Sequence, residues 1–471
     1  MRPLRDRSRD LARNTPYAAR MLDIITSHAV GTGIVPVPDT GSDRYDRRLE
    51  NLWGEWERKA DVTGQMTFYG MQSLAVRSMV ESGETVLRFV DRPIDSGLRV
   101  PFQLQALESD YIDQYRDGIY GDPANIAEGL ERSRLGVGLG DFDRRMGLWL
   151  WPWHPGEITT ANMRPGVSAF VPDDEVIHLF KVLRPGQVRG VPWFAPILMT
   201  ARDLADFVDA VNVKARVEAC FAGFVTNGDD QSGLPLLDPA RQGVAGYDYA
   251  NPEALVTSLE PGMIKELRSG QDIKFAQPTS AGQVDPILTF NLQAMAAGVG
   301  CTYDQATGDL RGATFSSLRA GKVEFRRLTE QLQHHTIIPN ICHRTWDRFT
   351  SRAVLAGLLP ARRDPYRAQW VTPAWEPINP NDDIEADMKA VRSGRMSPQD
   401  FVASWGNDWR RVQDQAAAFY KRGDRMGLAF DIDPRQTDQA GKLQPDPPAN
   451  AKQPLDDTGE PLAPGAPASN P

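Results

Sequence analysis

Apolar residues recur three and four positions apart over 16–30, at Ala18, Leu22, Ile25 and Ala29, so this stretch predicts an amphipathic helix. Thr15 before Pro16 starts it, and Gly31 and Gly33 stop it. A second helix over 45–60 sets Leu49, Leu52, Trp53 and Trp56 among charges, and a third covers 68–80. The period then falls to two. Residues 84–90 and 102–107 alternate as strands do, 147–151 reads as part of a hairpin, and 176–180 as a buried strand. Helical spacing returns over 197–222, where Leu204, Val208, Val211, Ala215, Ala219 and Ala222 share a stripe about 40 Å long at ~1.5 Å per residue. A shorter apolar helix at 285–299 uses Leu288, Leu292, Met295 and Ala296. Between these two helices, 227–280 is rich in Gly, Asp, Pro and Ser.

The segment 298–327 joins a polar loop to a basic helix. Gly298, Gly300, Gly308 and Gly312 permit backbone angles closed to other residues, and Thr314, Ser316 or Ser317 can cap the helix that follows. On that helix Leu318, Phe325, Leu328 and Leu332 trace one stripe, and Arg319, Lys322 and Arg326 lie close to a common face. Helical character continues over 337–359, interrupted by Pro339 and bounded by Pro360; 370–375 reads as a short strand or an extended link. Two further helices are expected over 382–393 and 397–421. Beyond about 431 the chain holds nine prolines in 41 residues and seven acids against three bases, so disorder is expected there.

At 471 residues the chain calls for roughly two to four modules. Its 41% apolar and 24% charged content is that of a globular protein, and no run approaches the roughly 18 apolar residues of a membrane span. Residues 1–20 carry six Arg against Asp6 and Asp10; this reads as a solvated arm with a short helix, or as a contact for protein or DNA. No export signal precedes them, so a cytoplasmic setting is expected. Cys220, Cys301 and Cys342 are too few and too scattered for a disulfide framework. A net charge of −9 argues against tight non-specific DNA binding, which depends on Lys and Arg.

Motifs for bond chemistry are missing. Gly321-Lys322 and Gly441-Lys442 lack the rest of a nucleotide-triphosphate loop, and Gly136, Gly138 and Gly140 lack dinucleotide-loop spacing. His334, His335, Cys342 and His343 are dense, but neighbours on a helix point apart, so no metal is assigned. Ser316 or Ser317 with His334 lacks any nucleophile motif. No cofactor and no enzymatic activity are expected.

Four blocks in order carry a resemblance: 14–34 ending Val30-Gly31-Thr32-Gly33-Ile34, 108–156, 178–196, and 298–327 with Thr307-Gly308-Asp309-Leu310 and Phe315-Ser316-Ser317-Leu318-Arg319-Ala320-Gly321. Together they resemble the lambda-like family of phage portal proteins. The resemblance implies an α+β, portal-type fold: arm and mixed α/β wing over 1–196, first stem helix 197–225, clip 226–284, second stem helix 285–300, tunnel loop 301–315, wing helix and return 316–380, and a helical crown 381–430 before the Pro-rich tail 431–471. It further implies a homo-oligomeric ring of twelve copies at one capsid vertex. Double-stranded DNA would pass through it, and terminase large subunit, major capsid protein and head-tail connector proteins would be its partners. Tyr303, Asp304, Gln305, Thr307, Asp309 and Arg311 are then candidates to face the channel, with Gly300, Gly308 and Gly312 as hinges and Arg319, Lys322 and Arg326 as a basic face. A nuclease-like subunit of a packaging complex, or another neck or tail ring protein, are the alternatives.

Overall fold

The computed structural model describes residues 2–119, 129–157, 166–220, 224–227, 271–274, 284–375, 379–428, 430–433 and 435. They form two units, Met1–Pro373 and Ala374–Pro471, mixed in helix and sheet.

The first unit opens with α1 (Arg2–Asn14) and α2 (Pro16–Val30). Thr15 is extended and Pro16 holds the first helical position of α2, which ends at Gly31 with φ +51°. The arm with a short helix expected within 1–20 does hold a helix, but one that is packed rather than solvated. Arg5, Ser8 and Ala12 lie three and four apart on one face, and that face is buried. Next come β1 (Val35–Pro38), α3 (Asp43–Trp56) and α4 (Phe68–Ser82). An aromatic core forms where Trp53 and Trp56 of α3 meet Phe68, Phe102 and Phe349; Trp56 stacks on Phe102 at 4.6 Å and donates its indole N–H to the Phe102 carbonyl at 2.9 Å.

Strands β2 (Glu84–Asp91) and β3 (Phe102–Glu108) pair antiparallel. Five short strands follow: β4 (Gly118–Ile119), β5 (Arg132–Arg134), β6 (Val137–Leu139), β7 (Arg145–Leu150) and β8 (Ala169–Pro172), an antiparallel meander in chain order. The glycine run at 136–140 serves this sheet. A Cβ on Gly138 would lie 2.6 Å from the Phe170 ring, so glycine here lets an aromatic cross the backbone. Strand β9 (Val176–Phe180), buried throughout, returns to β2 and gives the order β3-β2-β9, with Val86 opposite both Leu107 and His178.

The helices expected over 197–225 and 285–300 are α5 (Leu198–Cys220) and α6 (Val284–Val299), with the antiparallel pair β10 (Phe224–Asn227) and β11 (Gln271–Lys274) between them. The rest of the expected Gly/Pro-rich segment lies outside the described residues. Of the predicted apolar stripe of α5, Leu204 near its start is buried, Val211 is half-buried and Val208 and Ala215 are exposed, while Ala219 and Ala222 lie outside the residues whose side chains are described; off the stripe, Ala201 is buried and Val213 is 56% exposed. After α7 (Tyr303–Thr307) and α8 (Phe315–Leu332) comes a π-helical segment, Gln333–His343, then α9 (Arg344–Leu355). Pro339, expected to interrupt the helix, sits inside it. Proline cannot donate to the ordinary i−4 carbonyl and its ring collides with it; the wider π turn accommodates both effects and the helix runs on. On α8, Phe325, Thr329 and Leu332 face inward, while Leu328, assigned to that stripe, is 47% exposed. β12 (Ala368–Val371) then closes a two-stranded sheet with β1.

The second unit holds α10 (Pro380–Arg392), α11 (Pro398–Ser404) and α12 (Trp409–Met426). The single helix expected over 397–421 is split, because Gly406 turns left-handed at φ +72° and Asp408 caps a new start by accepting the Arg410 N–H at 2.9 Å. Past α12, Phe430 packs on Phe419 at 4.7 Å and the Tyr420 hydroxyl donates to Ile432 O at 3.1 Å, so the first residues of the expected tail fold back on the helix. The remainder of that tail lies outside the described residues.

Candidate functional site

The segment from α6 to α8 positions the residues singled out in the sequence. α6 ends at Gly300 with φ +91°, and the next N–H, of Cys301, reaches back to Ala296 O at 2.9 Å. Burial pushes the Cys301 thiol up to about 12, which keeps it an inert apolar filler. The first part of the expected loop then folds as α7. Gln305 turns its side chain to accept the Thr302 N–H at 3.1 Å, and Gly308 closes the turn at φ +75° with its N–H on Asp304 O at 2.7 Å. Arg20 of α2 fastens this turn to the body by donating from Nε to Gln305 O at 2.7 Å. Thr314, capping α8, accepts the Ser317 N–H at 3.2 Å, while Ser317 Oγ accepts the Thr314 N–H at 3.0 Å.

The six channel candidates therefore separate. Gln305 is buried and engaged as a cap, which removes its side chain from any solvent-facing role. Tyr303, Asp304 and Thr307 are half-buried. Tyr303 lines a cleft of about 360 Å³ with Tyr17, Asp285, Leu288, Asp309 and Arg311. Asp309 is locked to Arg311 by a two-pronged pair, Nε to Oδ1 at 2.9 Å and Nη2 to Oδ2 at 2.8 Å, and the fork holds its carboxyl well below the usual carboxylate range. Arg311 is 81% exposed. Leu310, 60% exposed beside it, was not among the candidates, because an apolar residue between Asp and Arg carries no loop signal. Gly300 and Gly308 are left-handed and Gly312 is not, so only the first two require glycine for conformation. On α8, Arg319 and Lys322 are exposed and Arg326 is half-buried, so two of the three basic residues face solvent together.

A second constellation, missed by sequence reasoning, holds α1, the β3-β2-β9 sheet and the chain leading to α5. Buried Glu84 accepts from Arg189 Nε at 2.9 Å, from the Gly190 N–H at 2.9 Å and from His178 Nε2 at 2.9 Å. Burial, the largest single influence, would raise the Glu84 carboxyl, but the Arg189 charge and the hydrogen bonds from His178 and Arg189 together outweigh it and the carboxylate is held well below its ordinary value. On the other ring nitrogen, Nδ1, His178 meets Arg145 at 2.5 Å. This arrangement fixes the neutral tautomer with the proton on Nε2, and burial together with the Arg145 charge lowers the imidazole to about 4. Arg5 bridges Asp110 at 2.8 Å and lies 3.8 Å from Glu84, while Arg9 reaches Glu108 at 2.9 Å and Asp110 at 2.7 Å. Buried charges persist only when paired, and here each has its counterpart. Glu108, Asp110 and His154 come close enough for a cation, but Arg9 already supplies the positive charge on both carboxylates.

A pH dependence follows from His178. Its folded value of about 4 lies below the ordinary 6.5, so the unfolded chain binds more protons between those values and stability falls as pH drops through that window. Below the usual Glu range the lowered Glu84 carboxyl removes more. The thermal midpoint of the first unit is expected to decline from pH 6.5 to 4. A His178→Gln variant should start lower at pH 7 and lack that upper slope; an equal slope in both proteins would show that another group is responsible.

The described residues contain no helix long and apolar enough to cross a membrane. Residues 1–333 match the family described as phage portal protein, lambda family. The probable portal protein of Halomonas phage phiHAP-1 is 24% identical over 444 residues, spanning 90% of this chain and 81% of the relative. Portal protein B of Escherichia phage lambda is 24% identical over 354 residues, 68% of this chain and 62% of its own length. Among solved structures, a chain of the virion of a native gene transfer agent particle aligns with TM-score 0.45 and 15% identity over 90% of this chain and 93% of that one. An HK97-family phage portal protein from Corynebacterium diphtheriae aligns with TM-score 0.32 and 11% identity over 74% and 96%. With the family matched across most of its length, this chain belongs to the lambda family of phage portal proteins and is a portal protein of a phage head.

Proposed function

We propose that copies of this chain close into a ring, expected to number twelve, at one vertex of the capsid, and that double-stranded DNA enters and leaves through its bore. Assembly in the host cytoplasm precedes incorporation into the virion. In this reading residues 1–196 and 316–380 form the wing, α5 and α6 the stem, 226–284 the clip that meets the terminase large subunit and later the head-tail connector proteins, and 381–430 the crown. The wing meets the major capsid protein.

The observation that carries the ring is the pair α5 and α6. Val208, Val213, Ile287 and Phe290 stay 37%, 56%, 43% and 70% exposed on two neighbouring helices, a concentration of apolar surface suited to burial against another copy. Heterologous, head-to-tail contact between such surfaces closes into a ring when the rotation permits. The turn at Leu310 and Arg311 supplies an exposed tip, and the Asp309 fork leaves Arg311 partly neutralised, which suits weak, reversible contact with phosphate.

Native mass measurement and negative-stain microscopy of the full chain should give a closed annulus with a central hole, and a protein that stays monomeric at all concentrations would reject the ring. For the tip, Gly308→Ala forces a Cβ onto a left-handed residue and toward Arg20, 3.3 Å away. About 1–2 kcal/mol of strain shifts the seated turn toward its unseated form by a factor of roughly 5 or more, so DNA per head is expected to fall with ring mass unchanged. Gly312→Ala, with open space around it, should package normally. Full packaging by Gly308→Ala would remove the tip from the mechanism.

A further inference from the structure

The described residues of the unit that begins at Ala374 bury almost nothing of their own. Among its described residues only Gly423 and Asp433 are buried, and neither is a large apolar side chain. Yet α10 carries Ile384 and Met388, 38% and 40% exposed, with half-buried Val391 one turn on. Positions four and seven apart share a helix face. On α12, Val412, Phe419 and Met426 recur every seven residues and are 37%, 46% and 61% exposed. Helices of this length whose described residues hold no apolar interior need a partner to complete them. The chain beyond 435 offers only Leu443, Leu455 and Leu462 as large aliphatic residues, too few and too far apart to cover two faces.

Charge identifies the cover. α10 holds four acids (Asp382, Asp383, Glu385, Asp387) against Lys389 and Arg392, a net −2, while α12 holds five bases (Arg410, Arg411, Lys421, Arg422, Arg425) against Asp414 and Asp424, a net +3. Two half-exposed apolar stripes with opposite surrounding charge are complementary to each other. Within one chain α10 packs on α11 and α11 on α12, and Phe430 covers part of Phe419; the apolar surface that stays exposed on the two stripes is available in trans. We infer that α10 of one copy docks on α12 of the next copy of this chain, so that each contact completes an interior that neither copy has alone. The pairing is heterologous, one face given and the other received, as a ring requires. It rests on the ring reading above and adds the surfaces that meet.

The test uses the full chain and reads assembly by native mass at low salt. Reversing charge on α10 (Glu385→Lys with Asp387→Lys) or on α12 (Arg411→Glu with Arg422→Glu) is expected to raise the concentration needed for the ring at least tenfold. Combining both reversals should restore most of that loss. A combination that is as weak as the two losses added together, or single reversals that leave assembly unchanged, would overturn the pairing while leaving the ring intact. A parent protein that never forms a ring fails the earlier reading and this one together, and is recognised by its mass before any variant is made. As an independent readout, Met388→Cys with Phe419→Cys should give a ladder of covalent multimers on oxidation. A crosslink confined to single chains would assign the two faces to each other within one copy and reject the inference.

Discussion

Glu84→Gln is expected to accelerate hydrogen exchange across the β2–β9 ladder roughly a hundredfold or more, with the helical unit after Ala374 unchanged. The carboxylate accepts from Arg189, from His178 and from the Gly190 N–H, and Arg5 lies 3.8 Å away. An amide of the same shape turns its own N–H groups toward donors and leaves the Arg189 charge buried without its counter-charge. Removing one partner of a buried pair costs about 3–5 kcal/mol, and each 1.4 kcal/mol is a factor of about ten. The chain has two units, so one global unfolding energy is poorly defined and the local exchange rate is the proper readout. A change below about threefold would show that packing, rather than this carboxylate, holds the sheet. Arg9→Ala makes a graded comparison: its partner Glu108 is well exposed, so that pair contributes little, and the loss comes mainly from Asp110, whose side chain is only 9% exposed.

The helices and their ends were legible because their signals are local. Thr15-Pro16, Gly31, Thr314 and Ser397-Pro398 each act within one turn, and each marks an observed terminus. The strands 84–91, 102–108 and 176–180 were equally clear from alternation or continuous apolar character. Pairing between distant segments had no such signal. β1 and β12 join Val35 to Val371, and a four-residue strand with Pro at two positions looks like a loop until its partner is known. The ionic node was hidden for the same reason: Glu84 and Arg189 are 105 residues apart, and one His inside a Val-Ile-His-Leu-Phe strand reads as an anomaly. Pro339 misled because the expectation rested on α geometry alone, and the helical turn inside 301–315 was not read because Gln305, its cap, stands among residues typical of a loop. The family was legible earlier than the site, since four short blocks in order need no knowledge of which side chains face solvent.

Gly190→Ala should disturb the molecule as severely as loss of the Glu84 charge, and by a different route. A methyl on Gly190 would sit inside the van der Waals radius of the Gly83 carbonyl oxygen, 2.6 Å from its carbon and 2.8 Å from Glu84 Cβ. Gly83 is itself left-handed at φ +91° and lies against the same segment at Val191 and Pro192, so the two backbones touch along three consecutive residues. Backbone meets backbone, so no rotamer change relieves the contact. Overpacking of this kind costs about 1–3 kcal/mol or more, and separating the two segments also stretches the Gly190 N–H bond to Glu84. Residues 190–197 lead directly into α5, so the strain is transmitted to the start of that helix, where Ile197, Ala201 and Leu204 are its buried anchors. The expected result is a fall in thermal midpoint of the first unit with faster exchange at both β2 and the first turns of α5. Gly54→Ala serves as the control: it lies within α3 with nothing near its Cβ, and should stabilise by about 0.5–1 kcal/mol. If Gly190→Ala behaves like Gly54→Ala, the close approach of Gly83 and Gly190 is not what joins the sheet to α5, and the Arg189–Glu84 pair must bear that junction alone.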